Sequence, residues 1–127
     1  YYETTEACID RLHADGYEVL AVEQVEGAVM LDVFRAAPGV KYALVFGNEV
    51  MGVGQSAVDR CDGAIEIPQA GTKHSINVAV SGGVVLWSFF RRAGTLTGPG
   101  EWPTDGRVQI NLALRPACAI FAPIYRR

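Results

Sequence analysis

Two stretches decide the fold: Leu44-Val45-Phe46-Gly47-Asn48-Glu49-Val50-Met51-Gly52 and Ile65-Glu66-Ile67-Pro68-Gln69-Ala70-Gly71-Thr72-Lys73-His74-Ser75-Ile76-Asn77-Val78-Ala79-Val80. Each opens on apolar residues and breaks off in glycines and polar groups. A short continuous apolar run reads as a buried strand, and the glycine- and proline-marked tip reads as the loop leaving its end. Ligands of open parallel sheets bind where such loops leave the carboxyl ends of strands. Two such loops in one sheet can close on a single site.

Working outward, Thr5 to Ala14 reads as a short helix. Thr4 or Thr5 caps it, Glu6 sits in its first turn, Cys8, Ile9 and Leu12 form its apolar stripe, and Gly16 stops it. Glu18 to Glu23 reads as a strand bounded by charged residues, Met30 to Phe34 as a helical turn, and Ala37-Pro38-Gly39 as a break. Tyr42 to Phe46 is the second strand, apolar enough for burial on both faces. Gln55 to Cys61 reads as a short helix and Ala64 to Ile67 as a third strand stopped by Pro68. Asn77 to Arg92 has the pattern of a long helix ending in Arg91-Arg92, although its valines and Gly82-Gly83 weaken it; strands at Val78–Val80 and Val84–Trp87 are the rival. The alternation of helix and strand predicts an α/β layer with a parallel sheet.

Beyond Arg92 the pattern changes. Ala93 to Gly106 is rich in Gly, Pro and Thr and reads as a loop or linker. Arg107 to Leu114 alternates as a half-buried strand, and Ala117 to Tyr125 is apolar again. Residues 1–92 are therefore expected to form the organised unit. Residues 93–127 form an extension of unknown role, such as an edge strand or a dimerisation arm.

Bulk properties narrow the function. The 127 residues are half hydrophobic and one-fifth charged, a globular composition that supports one domain. The longest apolar run, Val78 to Phe90, is interrupted by Ser81-Gly82-Gly83 and falls short of the roughly 20 residues of a membrane span. A net charge of −3 argues against binding nucleic acid through a broad basic surface. Cys8, Cys61 and Cys118 lack C-x-x-C spacing and histidine partners, so no metal site and no disulfide framework is expected. They read as free thiols in a reducing cytoplasm. No phosphate-binding P-loop, G-x-G-x-x-G or G-x-S-x-G is present.

The candidate chemistry lies in the two loops. Gly47 lets a backbone approach a ligand closely. Glu49 can hold an amine, orient a hydroxyl or act as a base, or it can simply sit in a solvated turn. Ser75 and Asn77 either point polar groups into the same cleft or cap the next helix. Lys73 and His74 are loop candidates for phosphate contact; His74 lacks the recognisable partners of a general base, and His13, on a helix, is a weaker candidate still.

Taken together, the two stretches resemble motifs 2 and 3 of the SpoU (TrmH-like) branch of the SPOUT RNA methyltransferases. An apolar strand followed by G-x-E-x-x-G is matched by Leu44 to Gly52. The pattern I-P-x-x-G-x-x-x-S-L-N-V-S-V-A is matched over Ile67 to Ser81, with mild departures at Ile76 and Ala79 and a serine at the last position. The resemblance covers about Thr5 to Arg92. It implies a parallel-sheet α/β knot, a deep trefoil of the kind that folds otherwise avoid, with Gly82-Gly83 allowing close packing at the crossing. It implies S-adenosylmethionine as cofactor, held largely by backbone groups of Gly47, Ile67 and Ile76 in a pocket shaped by Gly52 and Pro68. The implied reaction is methyl transfer to a ribose 2′-hydroxyl of tRNA or rRNA. Ser75 and Asn77 would position the ribose and general base, and Glu49 would hold the catalytic network. Lys73 and Arg91 are weaker candidates for RNA phosphate contact. A homodimer using the last helix is also implied.

One departure matters more. The family's first motif, N-x-G-x-x-x-R, whose arginine activates the 2′-hydroxyl, is absent, as are the early strands of the sheet. Both are expected upstream of Tyr1, and the chain alone is expected to be an incomplete enzyme. Two further readings stand beside this one: a knotted RNA-binding or assembly module without catalysis, and a nucleotide-binding α/β regulatory domain without a knot.

Overall fold

The structure, a computed structural model, describes residues 2–37, 40–48, 51–70, 76–92, 109–114 and 118–124, with residues 90–92 and the last two segments described as backbone only. In chain order the elements are α1 (Thr5–Ala14), β1 (Tyr17–Val22), β2 (Val29–Met30), β3 (Lys41–Gly47), α2 (Gln55–Val58), β4 (Gly63–Glu66), α3 (Val78–Arg92), β5 (Gln109–Leu114) and β6 (Cys118–Ile124).

Local chemistry sets the ends of α1. The Thr4 hydroxyl accepts the Ala7 N–H at 3.1 Å, filling one of the unpaired donors of the first turn. At the other end Gly16 adopts φ +80°, a conformation that costs a glycine nothing, and its N–H bonds the His13 carbonyl at 2.9 Å. The chain from Gln55 continues past α2 as turns, with Cys61 N–H on the Val58 carbonyl. Arg60 pairs with Asp10 and the Ser56 hydroxyl bonds Glu6, which tie this region to α1.

The six strands form one sheet in the order β2-β4-β1-β3-β6-β5. β1 pairs in parallel with both β3 and β4, and β2 pairs in parallel with β4. The expected parallel sheet is therefore present over four strands. At the far edge β6 runs antiparallel to β3, with Val45 opposite Ile120, and β5 runs antiparallel to β6. The strand expected over 107–114 is thus the outer edge of the sheet. The two-residue β2 overlaps the start of the stretch read as a helical turn. That turn also exists, since the Phe34 N–H bonds the Met30 carbonyl at 2.9 Å.

Strand alternation sorts the core onto two faces. Val19, Ala43 and Val45 pack with Cys8 and Ile9 of α1 and with Val53 and Ala57. Leu20, Leu44, Phe46 and Ile65 pack with Leu31 and with Val85 of α3. Fully burying an aliphatic side chain of this size contributes about 1.5–3 kcal/mol. Phe34, Tyr42 and Phe89 form an aromatic triangle, with Phe34 and Phe89 stacked at 5.2 Å, and the Tyr42 hydroxyl accepts the Ala37 N–H. This docking resolves 78–92 as a helix in spite of its composition.

Two consequences bear on the site. The chain leaving β1 crosses to the α3 face, through Leu31 and Phe34, whereas the chain leaving β3 crosses to the α1 face, through Val53 and Ala57. The sheet is therefore open between the carboxyl ends of these adjacent strands. Of the pair Gly82-Gly83, expected to allow close packing, Gly82 is buried, while an added Cβ at Gly83 would meet nothing within 4 Å. Val80, Val84 and Trp87 leave an exposed apolar stripe on α3. The knot depends on the path of residues 71–75, which lie outside the described residues.

Candidate functional site

A cavity of about 350 Å³ fills the opening at the carboxyl ends of β1, β3 and β4. β1 contributes Val22, Glu23 and Gln24 as it exits; β3 and its loop contribute Phe46, Gly47, Asn48 and Gly52. Glu66, Ile67 and Gln69 come from the exit of β4, and Ile76, Val78 and Ser81 from the start of α3. The volume falls within the usual range for small-molecule sites. The two stretches that decided the fold meet here, so Gly47, Gly52, Ile67 and Ile76 share one cavity. Pro68 is exposed and sits between two lining residues.

The Gly47–Gly52 loop has its shape for steric reasons. It turns back on the strand it leaves: the Gly52 N–H bonds the Asn48 carbonyl at 3.0 Å, and the Met51 N–H bonds Asn48 Oδ1 at 2.6 Å. A Cβ on Gly47 would lie 2.0 Å from the Gly52 carbonyl carbon and 2.2 Å from the Val53 nitrogen. Only glycine fits. Gly52 has φ +63°, and a Cβ there would lie 2.5 Å from Glu23 Oε2.

Glu23 is a cavity-lining residue that the sequence did not single out. Its Oε2 accepts the Val53 N–H at 2.9 Å and its Oε1 accepts the Gln24 N–H at 2.9 Å, so it clasps the loop after β3 to the end of β1. Gln24 Nε2 in turn donates to Glu66 Oε1 at 3.1 Å, linking the exits of β1 and β4. A charged residue ending a strand was its only signal; its partner Val53 is thirty residues away.

Asn77 caps α3. Its Oδ1 accepts the Ala79 N–H at 2.9 Å, the role expected of such a residue at a helix start. Its side chain is exposed, next to Ile76 on the cavity wall. Glu49, Lys73, His74 and Ser75 lie outside the described residues, and the Arg91 side chain does too.

Among the described lining residues the charges of the cavity are of one sign. Glu23 and Glu66 line it, and among the described residues no cationic side chain does. Such a site suits a ligand carrying positive charge and disfavours a phosphate. Its walls also offer Phe46, Ile67, Ile76 and Val78 to an apolar ring. The other charge cluster is structural. Asp62, near the opposite end of β4, accepts the Val19 N–H at 2.7 Å and contacts His13 Nε2 at 2.8 Å. Burial alone would raise its carboxyl, but the Val19 and His13 hydrogen bonds hold it below its ordinary value. Burial, with help from neighbouring Asp62, pushes the Cys61 thiol up to about 11, so it is a poor nucleophile. Among the described residues no group of His, Cys, Asp or Glu could hold a metal, and no helix is long and apolar enough to cross a membrane.

An open parallel α/β sheet with a glycine-framed cavity at its carboxyl edge defines the class, and comparison with known proteins places it. The SpoU rRNA Methylase family matches residues 1–87, and the chain belongs to that family. It is 36% identical over 91 residues to the mouse tRNA (guanosine(18)-2'-O)-methyltransferase TARBP1, a match covering 72% of this chain and 6% of that protein. It is 29% identical over 91 residues to the tRNA (guanosine(18)-2'-O)-methyltransferase of Borreliella burgdorferi, covering 72% of this chain and 41% of that protein. The chain thus spans less than half the length of either relative. A solved structure of a TrmH-family protein from Porphyromonas gingivalis superposes with a TM-score of 0.59 at 19% identity, covering 72% of this chain and 36% of that one. It shares the fold.

Proposed function

We propose that the protein takes part in S-adenosylmethionine-dependent methyl transfer to a ribose 2′-hydroxyl of tRNA or rRNA, with this chain supplying the cofactor pocket of a knotted domain. The observation that carries the proposal is the meeting of the Gly47–Gly52 loop, the β4 exit and the start of α3 around one cavity. Family membership and the names of the two tRNA methyltransferase relatives support it.

The residues present fit the cofactor. The absence of side chains at Gly47 and Gly52 leaves backbone groups at the cavity wall. Apolar side chains suit the adenine ring, and the two carboxylates suit the cationic sulfonium and ammonium. This acidic lining favours S-adenosylmethionine over a nucleotide. Gly47, Ile67 and Ile76 would hold it through their backbones, with Gly52 and Pro68 shaping the pocket. When bound, it supplies an electrophilic methyl group. The attacking hydroxyl must lie in line, roughly 3 Å away, and lose its proton. Ser75 and Asn77 are proposed to orient the ribose, Glu49 to hold the polar network, and Lys73 and Arg91 to meet RNA phosphate. The arginine that activates the hydroxyl in the family pattern is not in this chain. The exposed Val80–Val84–Trp87 stripe supports pairing of two copies through α3.

Methyl incorporation from labelled S-adenosylmethionine into unmodified tRNA and rRNA, assayed with the full-length protein, tests the reaction. Label at a ribose 2′-oxygen is expected. Label confined to bases would defeat the proposal.

A further inference from the structure

Ser81 is the one polar residue in the buried class among the described residues, at 8% exposure. It lines the cavity from the first turn of α3. Its backbone N–H is bonded to the Asn77 carbonyl at 2.9 Å, but its hydroxyl has no hydrogen bond among the described residues. The back-bond that a helical serine can make to the carbonyl four positions earlier is not formed here. A buried hydroxyl without a partner is unfavourable, and such groups are rare in folded proteins. Ser81 lines the cavity, where a ligand can supply the missing bond.

We infer that the Ser81 hydroxyl is a ligand contact, bonding a polar atom of the nucleoside half of the ligand. The choice of half follows from its surroundings. Ile76 and Val78 share its stretch of the cavity wall and present apolar surface to a flat ring. The carboxylates that attract a cation, Glu23 and Glu66, come from the strand exits. A hydroxyl both donates and accepts, so it can read the edge of a base where the aliphatic neighbours can only pack against its face. This inference rests on the cofactor reading above and adds to it a residue that sets affinity and specificity.

The test titrates the full chain with S-adenosylmethionine and, separately, with adenosine, for the wild type, Ser81→Ala and Ser81→Cys. Loss of one ordinary hydrogen bond predicts about fivefold weaker binding of both ligands in both variants. Cysteine keeps the size of the side chain but is a weak hydrogen-bonding group, which separates bonding from packing. The melting temperature without ligand is expected to hold or rise in Ser81→Ala, because alanine favours the helix and no buried bond is lost. Unchanged affinity in the variants would overturn the inference and leave the cofactor reading standing. So would weaker binding of S-adenosylmethionine with adenosine unaffected, or affinity falling only together with the melting temperature. A wild-type chain that binds adenosine but not S-adenosylmethionine would overturn the cofactor reading while leaving Ser81 testable on adenosine; one that binds neither would overturn both.

Discussion

Replacing Gly47 with alanine should damage the protein far more than its half-buried position suggests. The new methyl group would lie 2.0 Å from the Gly52 carbonyl carbon, and that neighbour is backbone that cannot rotate aside. The loop must therefore lift off the end of β3. Lifting it breaks the Gly52–Asn48 backbone bond, the Met51 bond to Asn48 Oδ1, and the Val53 bond to the Glu23 carboxylate. Two ordinary hydrogen bonds at about 1 kcal/mol each and one to a charged group at about 1.5–3 kcal/mol give a loss of about 4 kcal/mol. Small domains have only about 5–15 kcal/mol in total. Urea denaturation of wild type and Gly47→Ala measures the difference, and Gly83→Ala is the internal control. Gly83 has open space around it in a helix, so alanine there should stabilise by up to about 1 kcal/mol. A Gly47→Ala loss below about 1 kcal/mol, or equal behaviour of the two variants, would refute the steric reasoning.

The hydrogen-bonded Asp62 has a depressed pKa in the folded state. Its contribution is therefore fully present above the unfolded value of about 3.9 and fades as the pH falls through the lower folded value. Asp62→Asn should flatten the acid limb of a stability–pH curve below about pH 4, and an unchanged limb would contradict this. Cys61, pushed up to about 11, should react with iodoacetamide at pH 8 at least tenfold more slowly in the native chain than after unfolding; equal rates would show that its burial is wrong. Asn77→Ala removes the α3 cap and should cost about 1 kcal/mol in thermal unfolding. If Asn77 also positions the ribose, methyl transfer should fall further than that loss explains. Normal transfer at saturating ligand would restrict it to capping.

Much of the fold was legible because it rests on local signals. The Thr4 cap and Gly16 stop bound α1, and the continuous apolarity of Tyr42–Phe46 marks a parallel strand buried on both faces. What stayed hidden depends on distant partners. β2 is two exposed residues whose strand character comes only from pairing with β4. The antiparallel union of β6 with β3 is a register between segments far apart in the chain, and no local pattern encodes it. Glu23 looked like a polar strand terminus because Val53, which it holds, is near only after folding. In the site, the resemblance of the two loops to the family's motifs pointed to Gly47, Gly52, Ile67 and Ile76, all of which line one cavity. For Asn77 the local signal favoured a cap and the resemblance added a site role; the structure shows the cap, and the site role is a proposal. Gly83 drew a packing role from sequence that its open surroundings do not support.

The central claim is that the two motif loops build a single cofactor pocket. Amide chemical shifts of the isotope-labelled chain, followed during titration with S-adenosylmethionine, test it most directly. Gly47, Ile67 and Ile76 should move together with one saturation curve, while Asp10 and Arg11 on α1 stay still. Shifts confined to one loop, two distinct saturation curves, or no shift at any of the three would contradict it.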